Sequence, residues 1–200
     1  MKLLADTDAF CKLAIAGLLS DAIRRVFGAE LRHCGRLPAL PYMLRKGALR
    51  RKYGEKACDE LIPLANSMPV LSTPDITVLE KLIPIAEIDP GEAQLFAAAA
   101  NANLVLLTGD KRSLRALAKV EEVTDFLSGR IAVVEAILLA LHDEIGQDQM
   151  RKCMVPLSQV DQVVKICFSE GSPSPREGLF SYYRDLAREV KPLVLWDPSG

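Results

Sequence analysis

Four consecutive apolar residues, Leu104–Leu107, stop abruptly at Thr108-Gly109-Asp110, and Lys111–Lys119 follows at once with helical spacing. The apolar run reads as a strand and the segment behind it as a helix. The same sentence is written at the start of the chain. Lys2–Ala5 is a short apolar strand ending in Asp6-Thr7-Asp8, and Ala9–Leu19 is then apolar at helical spacing. Ile131–Val134 before Glu135–Glu144 repeats it a third time. Strands that alternate with helices in this way predict a layered α/β fold with a mainly parallel sheet.

Between these units the spacing predicts further elements. Asp21–Phe27 is a short helix closed by Gly28, and Leu37–Leu40 is a brief strand weakened by Pro38 and Pro41. Tyr42–Tyr53 and Lys56–Asn66 are helices separated by Gly54, and Leu82–Ile88 is strand-like despite Pro84. Pro90-Gly91 turns the chain into Glu92–Ala100, a helix apolar nearly all round and therefore buried. Beyond residue 146 the pattern becomes helical: Met154–Phe168, a Gly/Ser/Pro loop at Gly171–Pro175, then Leu179–Val190. The expected organisation is a domain over residues 1–146 with a helical C-terminal extension, 147–200, packed on it. Val160, Val163, Val164 and Cys167, and later Phe180, Tyr183, Leu186 and Ala187, supply apolar faces for that packing. Trp196 reads as an anchor for the tail, or as a partner contact.

Charge and cysteine usage remove several function classes. Lys plus Arg total 25 against 26 for Asp plus Glu, a net charge of -1, which excludes a histone-like DNA packer but leaves room for a local basic patch. Asp6 and Asp8 interrupt any apolar core of a signal peptide. The apolar stretches Leu95–Leu107 and Ile131–Leu141 carry Asn101, Asn103 and Glu135, and each is well short of the ~20 residues a membrane span requires. Cys11, Cys34, Cys58, Cys153 and Cys167 are odd in number, scattered and without a CxxC pair, as in a reduced cytoplasmic protein. His33 and His142 are too few for a histidine metal site.

The remaining chemistry lies at strand ends. An open parallel sheet binds ligands beyond the carboxyl ends of its strands. Asp6 and Asp110 each follow a strand, and Glu92 opens a helix, so all three fall toward that edge. Each acid could equally be a helix cap or a complement to a helix dipole. Together they suggest a shared oxygen-only cation site for Mg²⁺ or Mn²⁺.

The residues resemble the PIN-domain nucleases over Met1 to Gly146. Leu3-Leu4-Ala5-Asp6-Thr7-Asp8 looks like that family's opening strand and Asp-Thr-Asn/Asp motif. Gly91-Glu92-Ala93 resembles its central acidic motif, and Leu104–Asp110 its strand followed by Thr-x-Asp. The resemblance implies a three-layer PIN-like fold and metal-dependent hydrolysis of RNA, with Asp6, Glu92 and Asp110 as metal-binding catalytic acids and Asp8 in support. It also implies a small antitoxin as partner, many bacterial members being toxins of toxin–antitoxin pairs, and leaves a homodimer open. In two places the chain departs from the pattern. Met43-Leu44-Arg45-Lys46-Gly47-Ala48 carries Met43 where the family usually has a glutamate. The extra acid sometimes found after Thr-x-Asp is also missing, so the set suffices for one metal ion better than for two.

Two basic clusters could meet RNA phosphates, or be solvated helix faces: Lys111, Arg112, Arg115 and Lys119 directly after Asp110, with Lys111 and Arg112 at a helix start beside the acids, and Arg45, Lys46, Arg50, Arg51, Lys52 and Lys56 on or near the helix after Tyr42. Two other readings compete. One is a PIN-like module that has lost turnover and binds RNA or protein. The other is a haloacid-dehalogenase-like phosphatase, with Asp6 as nucleophile, Asp8 as general acid, and Thr108 and Lys111 binding phosphate.

Overall fold

The computed structural model describes residues 1–169 and 174–198. Its centre is a four-stranded, all-parallel sheet in the order β2-β1-β3-β4. The strands are β1 (Leu3–Ala5), β2 (Cys34–Arg36), β3 (Val105–Thr108) and β4 (Ile131–Val133). Helices follow in chain order: α1 (Thr7–Ile15), α2 (Leu19–Asp21), α3 (Leu40–Arg45), α4 (Ala48–Tyr53), α5 (Glu55–Ser67), α6 (Ile76–Leu82) and α7 (Pro90–Ala102). After β3 come α8 (Lys111–Leu117), α9 (Glu121–Leu127), α10 (Val134–Ile145), α11 (Gln147–Met154), α12 (Gln162–Phe168) and α13 (Pro175–Glu189). The expected α/β class, parallel sheet and helical C-terminal stretch are all present.

Successive side chains on a strand point to opposite faces, and this alone sorts the core into two. Leu3, Ala5, Leu107 and Ala132 face one apolar layer with Phe10, Ile23, Leu61 and Ile137. Leu4, Leu106, Ile131 and Val133 face the other, with Val78, Phe96, Leu114 and Leu117. The alanine-rich α7 lies in this second layer, its Ala93, Ala97, Ala98 and Ala99 buried, and it ends where Asn103 takes the left-handed conformation at φ 51°. The C-terminal helices share the same cores. Met150, Met154, Leu157, Val164 and Leu179 enter the first layer, and Leu186, Val190 and Leu195 the second.

Several elements differ from the sequence expectation, each for a local reason. The second strand is Cys34–Arg36, while Leu37–Ala39 turns the chain into α3 with Pro41 in its first turn. A strand centred on glycine has little intrinsic signature. Gly35 leaves room for its neighbours, because a Cβ there would lie 2.6 Å from the Met1 sulfur and 2.8 Å from a Leu4 methyl and would make those side chains move. The helix expected over Tyr42–Tyr53 breaks at Lys46-Gly47, with Gly47 at φ 93°. The strand expected at Leu82–Ile88 is instead the end of α6 and a turn, with Leu82 and Ile88 buried and Ile83 exposed. Glu121–Leu127, not expected as an element, is a helix. The long helix expected over Met154–Phe168 is interrupted by Pro156 and restarts where Asp161 accepts from the Val164 N–H. Of the loop expected at Gly171–Pro175, residues 171–173 lie outside the described residues, and Ser174 caps α13 at Pro175. Trp196 packs its ring 5.1 Å from that of Phe27 and donates its N–H to the Ile131 carbonyl, so the tail is anchored at the β4 edge. Among the described residues no helix is long and apolar enough to cross a membrane.

The strand order places the site. The chain moves from β1 outward to β2, then returns to the other side of β1 with β3. Between β1 and β3 the winding direction switches, and a crevice opens there beyond the carboxyl ends. Asp6 leaves β1 and Asp110 follows β3 at that point.

Candidate active site

Asp6 sits at the mouth of β1, where its carboxylate caps α1. Oδ1 accepts the Ala9 N–H at 2.6 Å, and Oδ2 accepts the Gly109 N–H at 3.1 Å together with the Thr108 hydroxyl. The Thr108 oxygen in turn accepts the Asp110 N–H at 3.2 Å, so one hydroxyl joins the two strand-end motifs. Asp6 is buried. Burial and the neighbouring Asp8 charge push its carboxyl up to about 6, against the pull of its three hydrogen bonds.

Asp110 caps α8 in the same manner, its Oδ1 accepting the Arg112 N–H at 2.8 Å and the Ser113 N–H at 3.0 Å. Glu92 belongs to a reciprocal cap on α7. Asp89 Oδ1 accepts the Gly91 and Glu92 N–H groups, and Glu92 Oε2 accepts the Asp89 N–H at 2.8 Å. The capping and the shared-site readings therefore coexist. Each cap engages a single oxygen of Asp110 and of Glu92, fixing the carboxylate's rotation while its other oxygen stays uncommitted to the backbone. Those carboxylates meet. Burial, then the hydrogen bond with Asp110 and its charge, push Glu92 up to about 8, so Glu92 holds a proton near neutral pH.

Asp6, Asp8, Glu92 and Asp110 line one cavity of about 550 Å³, with Leu37, Met43, Leu49 and Asp89 on its other walls. Met43 is half-buried and turned to this cavity, whereas Leu40 and Leu44 on either side of it enter the core. The departure seen in the sequence thus falls at the site itself. The donor set fits Mg²⁺ or Mn²⁺: it is oxygen-only, and two of its acids are held near neutral pH by burial and mutual repulsion, which a cation would relieve. Among the described residues, no three His, Cys, Asp or Glu side chains are already closed round one point. The acids are arrayed around the cavity and not pre-collapsed.

Asp8 differs from the other three. Lys12 Nζ lies 2.7 Å from its Oδ2, Lys52 Nζ 3.0 Å from its Oδ1, and the Tyr53 hydroxyl donates to Oδ1 at 3.2 Å. Burial works against its charge, but the two ammonium groups prevail and hold its carboxyl below the usual range. A Cβ on Gly109 would clash with Asp8 Oδ2, so glycine permits this approach. Lys12 also reaches Asp161 at 2.6 Å, tying the start of α12 to the site.

The basic candidates divide. Lys111 is not a free phosphate contact: its Nζ is 2.7 Å from Glu135 Oε1, a buried carboxylate on α10, and 5.2 Å from the centre of the Tyr182 ring. A buried acid requires a partner, and Lys111 is the nearest cation. Arg112, Arg45 and Arg51 are exposed. Arg45 and Arg51 belong to α3 and α4, the segment whose Met43 and Leu49 wall the cavity.

Lys12, Lys52, Tyr53 and Thr108 were not among the metal-site residues expected from sequence. The i,i+4 spacing of Asp8 and Lys12 is a legible helix pair, and Asp89-x-x-Glu92 is a legible capping box. No local signal connects Lys52 or Tyr53 to Asp8, which lies 44 and 45 residues away.

Fold and site together define an open parallel α/β protein with an acidic crevice at its switch point. No known family, curated protein or solved structure matches the chain.

Proposed function

We propose that the chain is a Mg²⁺- or Mn²⁺-dependent ribonuclease of PIN-like type. The observation that carries this reading is the convergence of Asp6, Glu92 and Asp110 on one cavity, with Glu92 and Asp110 in contact and Glu92 pushed up to about 8. Asp6, Asp110 and Glu92 would hold the cation. When bound it supplies polarisation of a phosphate oxygen and a water of lowered pKa. With a cation in the cavity Glu92 would give up the proton it holds without one, leaving a carboxylate placed to act as a general base at the cavity wall. Thr108 keeps Asp6 and the Asp110 backbone in register. Arg45, Arg51 and Arg112 provide exposed positive charge for an RNA backbone, and Arg45 and Arg51 equally suit an acidic segment of a small antitoxin. We place the enzyme in the cytoplasm because its five cysteines are free.

A second reading, a PIN-like module that binds without turnover, is favoured by Met43 on the cavity wall where an acid would strengthen cation binding. The phosphatase reading draws less support, since it asks Asp8 to deliver a proton that Lys12 and Lys52 hold off. A cleavage assay with Mn²⁺, comparing RNA with a phosphomonoester, separates the three. Cleavage of RNA alone is the expected result. RNA bound but left intact selects the binding module, and release of phosphate from the monoester selects the phosphatase.

A further inference from the structure

Resting on the ribonuclease reading, we propose that Lys52 is the phosphate-facing cation of this site, presented by Asp8, and that Asp8 is thereby withheld from metal ligation, so that the cavity takes one divalent cation and not two. Both oxygens of Asp8 are engaged: Oδ1 by Lys52 and the Tyr53 hydroxyl, Oδ2 by Lys12. Gly109 packs against Oδ2 so closely that not even a methyl group fits between them. A carboxylate so surrounded has little lone-pair capacity left for a metal.

The two lysines are not equivalent. Lys12 is 15% exposed and lies between two acids, Asp8 at 2.7 Å and Asp161 at 2.6 Å, so its charge is consumed inside the protein. Lys52 is 42% exposed and, among the described residues, has one acidic partner. Lys52 does not itself line the cavity, but its ammonium stands 3.0 Å from Oδ1 of Asp8, which does; of its three donors one is directed to Asp8, and the others are left for an oxyanion that approaches beside it. The Lys52 ammonium also stands 4.8 Å from the centre of the Tyr53 ring, a further constraint on where the side chain can go. The acid set is short by the position Met43 occupies, and a fixed ammonium supplies positive charge on the same edge without needing another carboxylate. In phosphoryl chemistry a lysine and a metal ion play parallel parts as charge clamps.

The test is Mn²⁺ binding by titration calorimetry on the full chain, with cleavage of single-stranded RNA measured in parallel, for wild type, Lys52→Gln and Lys52→Arg. Wild type is expected to bind one Mn²⁺. Lys52→Gln removes a positive charge and leaves the Tyr53 hydroxyl on Asp8 Oδ1, so a second, weaker Mn²⁺ should bind, while cleavage falls on the order of 100-fold at low Mn²⁺ and recovers in part as Mn²⁺ is raised. Lys52→Arg should keep one Mn²⁺ and most of the rate. Two Mn²⁺ in wild type would overturn the proposal, as would a Lys52→Gln protein with unchanged stoichiometry and rate. Wild type that binds Mn²⁺ and cleaves RNA with no response to Lys52→Gln refutes this inference alone. Wild type with neither binding nor cleavage refutes the ribonuclease reading as well.

Discussion

Replacing Glu92 by glutamine should make the metal-free protein more stable, and only above a definable pH. Glutamine keeps the capping box, since its carbonyl accepts the Asp89 N–H as Glu92 Oε2 does, and its amide can donate to Asp110. What it removes is a charge. The Glu92 carboxyl rises from its ordinary 4.5 to about 8 in the fold. The folded protein therefore binds a proton that the unfolded chain has released, and stability falls as pH rises from about 4.5 to 8. At pH 7.5 the full shift corresponds to ~4 kcal/mol. Glu92 is only half-buried, so solvent screening reduces this to about 1–2 kcal/mol, or roughly 3–6 °C in Tm for a chain of this length. Thermal melts of wild type and Glu92→Gln in EDTA, at pH 4.5 and 7.5, measure it directly. The two proteins should coincide at the lower pH and separate at the higher, with the variant ahead. Asp6, raised to about 6, gives wild type a further decline through the window from 3.8 to 6, but it does so in both proteins and cancels in the comparison. A Glu92→Gln protein less stable by the same amount at both pH values would refute the reasoning, because Glu92 would then be an ordinary cap without a repelling neighbour.

Four other substitutions probe separate parts of the site. Met43→Glu adds a carboxylate to the cavity wall, so Mn²⁺ affinity measured by calorimetry should rise about tenfold or more while the metal-free Tm drops slightly, the new charge costing about 1 kcal/mol beside other acids; unchanged affinity would mean the side chain cannot reach the cation. Gly109→Ala forces its Cβ onto Asp8, and urea unfolding should report a loss of about 1–3 kcal/mol; a neutral result would mean Asp8 can withdraw freely from its lysines. Lys111→Met leaves Glu135 buried without its cation and should cost about 3–5 kcal/mol, whereas Arg112→Ala should leave stability unchanged and lower the salt slope of RNA binding by about one. The reverse pattern would exchange their roles.

How far these features could be read from sequence follows from how local their causes are. Leu104–Asp110 and Leu3–Asp8 announce themselves because an apolar strand ending in an acid is visible within seven residues. The edge that collects Asp6, Glu92 and Asp110 then follows from parallel topology alone. The second strand is hidden in the sequence because Cys34-Gly35-Arg36 has a poor strand signature and owes its conformation to pairing with β1. The apolar run at Leu82–Ile88 matched a strand by composition, although Leu82 is buried as the last turn of a helix. Lys111 looks like an RNA contact in sequence because its buried partner, Glu135, is 24 residues away on another helix, and only packing reveals that claim on its charge. Lys52 is legible as one charge of a basic helix, but the attachment of Lys52 and Tyr53 to Asp8 is hidden for the same reason. Their link to Asp8 is made by the folding of α4 over α1, which no spacing encodes.

The most direct test of the ribonuclease reading is cleavage of single-stranded RNA by the purified full chain in Mn²⁺, beside Asp110→Asn. Asparagine is as good a helix cap as aspartate, so the variant should keep its α8 N-terminus and melt within about 1 kcal/mol of wild type, while it loses the charge that faces Glu92. The expected result is Mn²⁺-dependent cleavage by wild type and a drop on the order of 100-fold or more in the folded variant. Equal cleavage by both proteins, or none by wild type at any Mn²⁺ concentration, would contradict it.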